Sequence, residues 1–302
     1  MIEWVLLLPV IPLRPLSGDN SHGEHSTGCY ASNHRFVINN RTLPTRRENS
    51  LRTQRIDVYL LPALLGSADL SGTVAVVIDV LRATTTITHA LANGAECVVP
   101  CQTIEEAQAL RTDHPAALLG GERGGKKIPG FDLGNSPAEY SREVVAGKKV
   151  LFTTTNGTKA MQACRAADEI WIASFVNLTA VCNRLTEHPQ IHIVCAGTDG
   201  EITREDVLLA GAIVDHLSTD APSPIELNDQ AQIATDAWQE AKQGLTSVSL
   251  AERLKMSRGG RNVLRIGLEN DIEIAATVDK FELVPRLNPR TWEIRRGEPT
   301  TE

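Results

Sequence analysis

The 302-residue chain carries six cysteines (Cys29, Cys97, Cys101, Cys164, Cys182 and Cys195) but no CxxC pair and no repeated cysteine spacing. This excludes the ligand pattern of a structural zinc site. Cys97, Cys164 and Cys195 stand inside apolar runs, where a free thiol behaves as a small hydrophobe. Nothing asks for disulfides, so a reducing compartment, the cytoplasm, is the expectation. A basic excess is also missing. Lys and Arg number 30 against 37 Asp and Glu, giving a net charge of −7, so the electrostatic footprint of a nucleic-acid binder is absent and no nucleic-acid partner is expected. No membrane partner is expected either. WVLLLPVIPL near the N-terminus is too short to span a bilayer, is interrupted by two prolines, and follows Glu3 instead of the basic n-region of a signal peptide.

One further absence concerns a motif. The stretch GGERGGKKIPGFDLGNSPAEY (residues 120–140) contains Gly120, Gly125 and Lys126 at Walker A spacing. A Walker A loop needs Ser or Thr after the lysine for Mg²⁺ and a helix behind it to face the phosphates. Lys127 stands there instead, and Ile128, Pro129 and Gly130 oppose a helix start. A nucleotide P-loop is therefore disfavoured, although the loop keeps the character of an anion site.

A length of 302 residues allows one large or two ordinary domains. The polar, turn-rich segment SGDNSHGEHSTGCYASNHRF cannot bury enough surface to order itself. Its His22, Glu24, His25 and Cys29 have a metal-like look, but a disordered tail is the plainer reading. Residues 1–53 are thus expected to be a disordered or dispensable extension, 54–288 the folded domain, and 289–302 a polar tail. The first strand is expected at IDVYLLPALL. TVAVVIDV (residues 73–80) is a β-branched run of the kind buried on both faces of a parallel sheet. A helix follows and closes at Gly94, then strand ECVVP, then a helix opened by the capping box of Thr103 and Glu106. The strand, loop, helix order recurs in KKVLFTTTNGTKAMQACRAADEIWIAS and in IHIVCAGTDGEITREDVLLAGAIVDHL. The expected class is α/β, a three-layer α/β/α arrangement with a mostly parallel sheet. Thr86 and Thr158, Glu96 and Asp168, and Val98 and Ile170 align at one offset of 72 residues. Two similar βα subdomains would explain this, as would the pattern common to all βαβ units.

In an open α/β sheet, ligands sit beyond the carboxyl ends of the strands. Three loops reach that edge with polar residues. In IDVLRATTT, Asp79 ends a buried strand, Arg82 follows, and Thr84, Thr85 and Thr86 open the helix. A carboxylate there can ligate Mg²⁺ or attack phosphorus, arginine grips phosphate with two prongs, and the hydroxyls donate. A strand-end Asp paired with Arg beside a Thr cap is the structural alternative. The haloacid dehalogenase pattern is disfavoured by Leu81, which occupies the position of its second Asp. In FTTTNGTKA, Thr155, Asn156, Gly157 and Thr158 are neutral donors suited to binding an oxyanion, or to a plain turn. In AGTDGEITREDVLLAG, Asp199, Glu201, Glu205 and Asp206 serve either a metal or an acidic helix start capped by Thr203.

Taken in order, DVLRATTT, GGERGGKKIPGFDLGNSP, TTTNGT and AGTDGEITREDVLLAG resemble the 2-phosphosulfolactate phosphatase (ComB) family. The likeness extends from about residue 56 to 285 and takes in SRGGRNVLRIGLENDIEIAATVDKFELVP. It implies the family's layered α/β architecture and a Mg²⁺-dependent acid phosphatase acting on 2-phosphosulfolactate, on the route to coenzyme M. The partner is then a small anionic phosphate ester, and a homo-oligomer is compatible with the sequence; a phosphatase of another phosphorylated hydroxy acid, or a non-catalytic protein that binds an anionic metabolite, is the alternative. On this resemblance Asp79, Arg82, Glu122 and Arg123 are the catalytic candidates. Lys126, Asn135 and Ser136 join the three threonines of the first loop and residues 155–158 in binding substrate. Asp79, Glu122, Asp199, Glu205 and Asp206 are the candidate Mg²⁺ ligands.

Overall fold

The computed structural model describes residues 53–219, 221–245 and 247–297. The expected N-terminal extension lies outside these, apart from its last residue. Among the described residues are eleven strands: β1 (Arg55–Tyr59), β2 (Val74–Ile78), β3 (Cys97–Pro100), β4 (Leu118–Arg123), β5 (Lys126–Lys127), β6 (Lys149–Thr153), β7 (Glu169–Ala173), β8 (Gln190–Cys195), β9 (Glu226–Leu227), β10 (Pro285–Leu287) and β11 (Ile294–Arg296). The helices are α1 (Ala83–Ala92), α2 (Ile104–Asp113), α3 (Arg142–Val145), α4 (Gly157–Ala163), α5 (Leu178–Leu185), α6 (Arg204–Thr219), α7 (Asp229–Gln243), α8 (Leu250–Lys255), α9 (Arg258–Arg265) and α10 (Glu269–Ala275).

All strands join one sheet in the order β5-β4-β6-β3-β11-β10-β7-β2-β8-β1-β9. Apart from the antiparallel edge pair β4–β5, pairing is parallel on each side of the β10–β11 hairpin, which is antiparallel to both β7 and β3. The order contains a repeat. The units β2-α1-β3-α2-β4 and β6-α4-β7-α5-β8 each have their first strand inserted between the second and third strands of the other. The expected likeness of the two units is one of element order, and their interleaved strands share a single sheet.

Strand alternation produces the layers. Val74, Val76 and Ile78 point into one core with residues of α5, α6 and α7, while Ala75 and Val77 point into another with residues of α1 and α4. Every residue of β2 is buried, as a strand covered on both faces requires. At about 1.5–3 kcal/mol for each large aliphatic side chain removed from water, such burial is the main force holding the layers together. The Thr103 cap forms, with Glu106 donating its amide to Oγ1 at 3.1 Å; the Glu106 carboxylate reaches back to the amide of Gln102. No helix among the described residues is long and apolar enough to cross a membrane.

Two expectations fail locally. IDVYLLPALL is not one strand: β1 ends at Tyr59, and Pro62, which lacks an amide proton, opens a 3-10 turn over Pro62–Leu65. Residues 289–297 are not a loose tail, because β11 fills the centre of the sheet. Ile294 is fully buried, opposite Val98 on one side and Leu287 on the other, and the Trp292 indole donates to the Pro100 carbonyl at 3.0 Å.

Candidate functional site

The loops after β2, β4, β6 and β8 converge on one cavity of about 150 Å³, lined by Asp79, Arg82, Glu122, Asn135, Thr155 and Asn156 among others. Asp79 is buried, and its Oδ1 accepts the Ala83 amide at 3.1 Å. Its Oδ2 faces the start of α4 so closely that a Cβ on Gly157 would lie 2.8 Å from it and 2.7 Å from the Ala83 Cβ. Only glycine allows that approach. Burial raises the Asp79 carboxyl to about 7, with Glu122 and Glu205 adding to the rise and the Ala83 amide and Arg82 opposing it.

Arg82 enters the cavity from a buried anchor. One end of its guanidinium meets Asp271 at 2.7 Å, and another nitrogen donates to the Gly125 carbonyl. Asp271, on α10, also accepts the Ser136 hydroxyl at 2.6 Å. Ser136 therefore supports the arginine's partner and is not itself among the cavity-lining residues. Glu122 ties two loops together: Oε2 accepts the Gly125 amide at 2.7 Å and Oε1 the Thr155 amide at 2.8 Å. Gly124 and Gly125 turn with φ of 61° and 81°, and β5 follows them. A hairpin thus stands where a nucleotide P-loop would need a helix.

Several sequence candidates have structural work instead. Thr84 exchanges hydrogen bonds with the Asp79 backbone, Thr85 donates to the Val80 carbonyl at 2.8 Å, and Thr86 donates to the Asn135 carbonyl at 3.1 Å. All three are buried and none lines the cavity. They lie inside the first turns of α1, where their hydroxyls reach backbone carbonyls more readily than an open face. Arg123 turns away from the cavity, donating to the Glu122 carbonyl at 2.7 Å and to Thr153 Oγ1 at 2.9 Å. This follows from alternation along β4, which sends residues 122 and 123 to opposite faces. Lys126 is exposed on β5. Thr158 is buried and bonded to Thr154.

Of the acidic candidates in the fourth loop, Asp206 is committed to scaffolding: its oxygens accept the Val80 and Gly197 amides at 2.9 and 3.0 Å. Burial, then Glu205 and Asp79, hold its carboxyl well above the usual range. It pins β2 to the β8 loop and does not cap with Thr203. Glu205 is buried against Gly259 and raised by that burial, and its Oε2 has no partner among the described residues. Asp199 lies at the rim with φ of 54°, 3.6 Å from Arg258, and its amide donates to Asn156 Oδ1. Among the described residues no three His, Cys, Asp or Glu side chains gather as a metal cluster. Asp79 and Glu122 are the buried carboxylates that line the cavity. Two polar atoms of lining residues, Asn135 Oδ1 and Thr155 Oγ1, are buried without a partner among the described residues. Unmet polar atoms at such depth are costly, and a polar ligand would satisfy them.

Sequence reasoning did not single out Asp271, Gly259, Asn262 or Arg265. The last three line the cavity. The available signal was the Gly259–Gly260 pair within an Arg-rich helix, since glycine in a helix costs about 1 kcal/mol and marks a close approach. A Cβ on Gly259 would overlap the Glu205 carboxylate.

An α/β protein that collects a buried carboxylate, an anchored guanidinium and unpaired donors and acceptors at the ends of its strands has the makings of an enzyme for a small oxyanion. Comparison with known proteins specifies which kind. The family model described as 2-phosphosulpholactate phosphatase matches residues 59–290. Similar proteins named "Probable 2-phosphosulfolactate phosphatase" include that of Symbiobacterium thermophilum, 42% identical over 72% of this chain and 92% of its own length. That of Thermotoga maritima is 44% identical over 70% and 88%, and one from Clostridium perfringens is 38% identical over 82% and 96%. The chain belongs to the 2-phosphosulfolactate phosphatase family.

Proposed function

We propose that the protein hydrolyses a small acidic phosphate monoester, 2-phosphosulfolactate, to 3-sulfolactate and phosphate, as a cytoplasmic step towards coenzyme M. One observation carries the reading: Asp79, which lines the cavity that Arg82 enters, has one oxygen fixed by the Ala83 amide and the other packed against Gly157. Family membership points the same way. The buried free thiols of Cys97, Cys101, Cys164, Cys182 and Cys195 suit a reducing compartment.

Phosphate monoesters are very inert, so the site must neutralise charge and align a nucleophile. The Arg82 guanidinium, fixed by Asp271, grips phosphoryl oxygens without having to reorganise. Asp79 Oδ2 attacks phosphorus, the bond to the ester oxygen breaks, and the departing alkoxide takes a proton from water. A second water then cleaves the aspartyl phosphate and regenerates the carboxylate. Gly124 and Gly125 line the cavity and let backbone approach the anion.

A hard divalent cation fits these residues. Mg²⁺ uses one or two carboxylates and completes its shell with water and substrate oxygens; Asp79, Glu122 and the unpartnered Asn135 Oδ1 would hold it. When bound, it would screen the phosphate charge and keep Asp79 ionised despite burial. The test is phosphate release from a panel of phosphorylated hydroxy acids. Release should be fastest with 2-phosphosulfolactate, cease in EDTA and return with Mg²⁺. Full activity in excess chelator would remove the metal from the reading, and no release from any ester would remove the phosphatase.

A further inference from the structure

The cavity continues past Asp199, Asn262 and Arg265 into an open groove whose walls include Glu201, Arg204, Arg258 and Arg261. Arg258, Arg261 and Arg265 recur at helical spacing along α9, so they share one face, and Arg204 opens α6 beside them. Arg258 is neutralised by Glu201 and Asp199. The other three are not. Arg261 donates to the Met256 carbonyl and Arg265 to Asn262 Oδ1 at 2.7 Å, and neither they nor Arg204 has a carboxylate partner among the described residues. Three guanidiniums lacking counter-charge in one groove repel each other, and they stand out on a chain of net charge −7. An anionic ligand removes that repulsion. The inner cavity shares Asp199 and Arg265 with this groove, and deeper in it presents the carboxylates Asp79 and Glu122 beside the single guanidinium of Arg82; its depth suits a phosphoryl group gripped by Arg82 but would repel a second acid group on the same molecule.

We propose that the arginine face of α9, together with Arg204, is the subsite that receives the acid group of the substrate remote from the ester phosphate, either carboxylate or sulfonate. The proposal rests on the phosphatase reading for the word substrate; the anion site itself does not. Planar guanidiniums match the oxygens of both groups with paired N–H donors, which lysine does not reproduce. Specificity then arises from the groove and chemistry from the cavity. An ester without a remote acid should bind poorly and turn over by the same route.

Two measurements on the full chain test this. The first compares kcat/KM for 2-phosphosulfolactate, for 2-phospholactate, and for phenyl phosphate, which has no remote acid. Arg261→Gln and Arg204→Gln should each lower the ratio of either acidic ester to phenyl phosphate at least tenfold, mainly through KM, and Arg261→Lys should fall between. A larger effect on the sulfonate ester than on phospholactate would identify sulfonate as the group held, and the reverse would identify carboxylate. An unchanged ratio in both Gln variants overturns the proposal. The second is calorimetric binding of phosphate-free 3-sulfolactate and malate. At least one should bind the wild type and bind tenfold more weakly to Arg261→Gln at an unchanged melting temperature; absence of binding, or binding indifferent to the substitution, overturns it. Arginine-dependent binding without release of phosphate from any ester would leave the subsite standing and end the phosphatase reading instead.

Discussion

The loops that follow β2 and β6 occupy equivalent places in the two interleaved units, and both deliver a strand end to the same cavity. Their chemistry differs. The β2 loop contributes Asp79 and Arg82, each buried and each held by a specific partner, while its threonines are consumed in fastening the first turns of α1. The β6 loop contributes no charge. Its Thr155 hydroxyl is unpartnered, its Asn156 holds the rim residue Asp199, and its Gly157 yields space to the Asp79 carboxylate. In the proposed mechanism one loop supplies the reacting groups, and the other shapes the surface against which they act. Similar threonine-rich motifs therefore carry opposite roles, and the number of local hydrogen-bond partners distinguishes them.

The largest effect expected from breaking this asymmetry is at Asp79. Asp79→Asn keeps shape and packing but removes the proposed nucleophile and cation ligand, so turnover should fall by at least about a thousandfold. Raised Mg²⁺ should not restore it, and the wild type should trap a hydroxylamine-sensitive phosphoryl adduct. Near wild-type kcat in the variant would place Asp79 outside the chemistry. Thr154→Val, at the matching strand end of the other unit, should stay within about tenfold.

The two arginines come next, and they are not equivalent. Arg82→Lys should lower kcat/KM by about a hundredfold, the cost typical of losing one preorganised donor of ~3 kcal/mol. Arg82→Ala should also destabilise the fold by about 3–5 kcal/mol, because Asp271 would be left charged and buried. Arg123→Lys should change kcat/KM by less than about tenfold, since Arg123 faces Thr153 and the Glu122 carbonyl rather than the cavity. Equal losses at both positions, read from steady-state rates and urea melts, would refute the division between them.

Asp79 should also appear in the pH dependence of stability. Its carboxyl is raised from 3.8 to about 7 in the fold, so between these values the folded state keeps a proton that the unfolded chain releases. In metal-free protein, stability should therefore decline as pH rises through that window and level off above it, by an amount on the order of a few kcal/mol. Asp79→Asn should melt like the wild type near pH 4 and at higher temperature than the wild type above pH 7. A variant less stable than wild type at pH 8 would contradict this.

The smallest effects sharpen the contrast between the threonines. Thr85→Val leaves the Val80 carbonyl without its donor and should cost about 1 kcal/mol of stability with KM nearly unchanged. Thr155→Val should leave the melting temperature in place and raise KM a few-fold. The opposite assignment of stability and KM would reverse the roles given to the two loops.

Much of this was legible in the residues. The β-branched run before Asp79 determined a doubly covered strand, because no other environment accepts five consecutive apolar side chains pointing to both faces. Strand, loop and helix order determined an α/β sheet with ligands at strand ends, and Asp79, Arg82, Glu122, Asn135, Thr155 and Asn156 do meet in one cavity. The strand within the expected polar tail and the roles of the α1 threonines were not legible. A strand of three residues with one buried isoleucine has no periodic signal, and β11 is a strand through its pairing with β3 and β10. Hydroxyls at a helix start look alike in sequence whether they serve a ligand or a carbonyl. The pairing of Arg82 with Asp271 joins residues 189 positions apart, and the interleaving of the two units places strands beside partners from the other half of the chain. Local pattern records what each segment buries. Which segments meet depends on long-range packing, so tertiary structure alone decided which of the charged groups face the cavity and which hold it together.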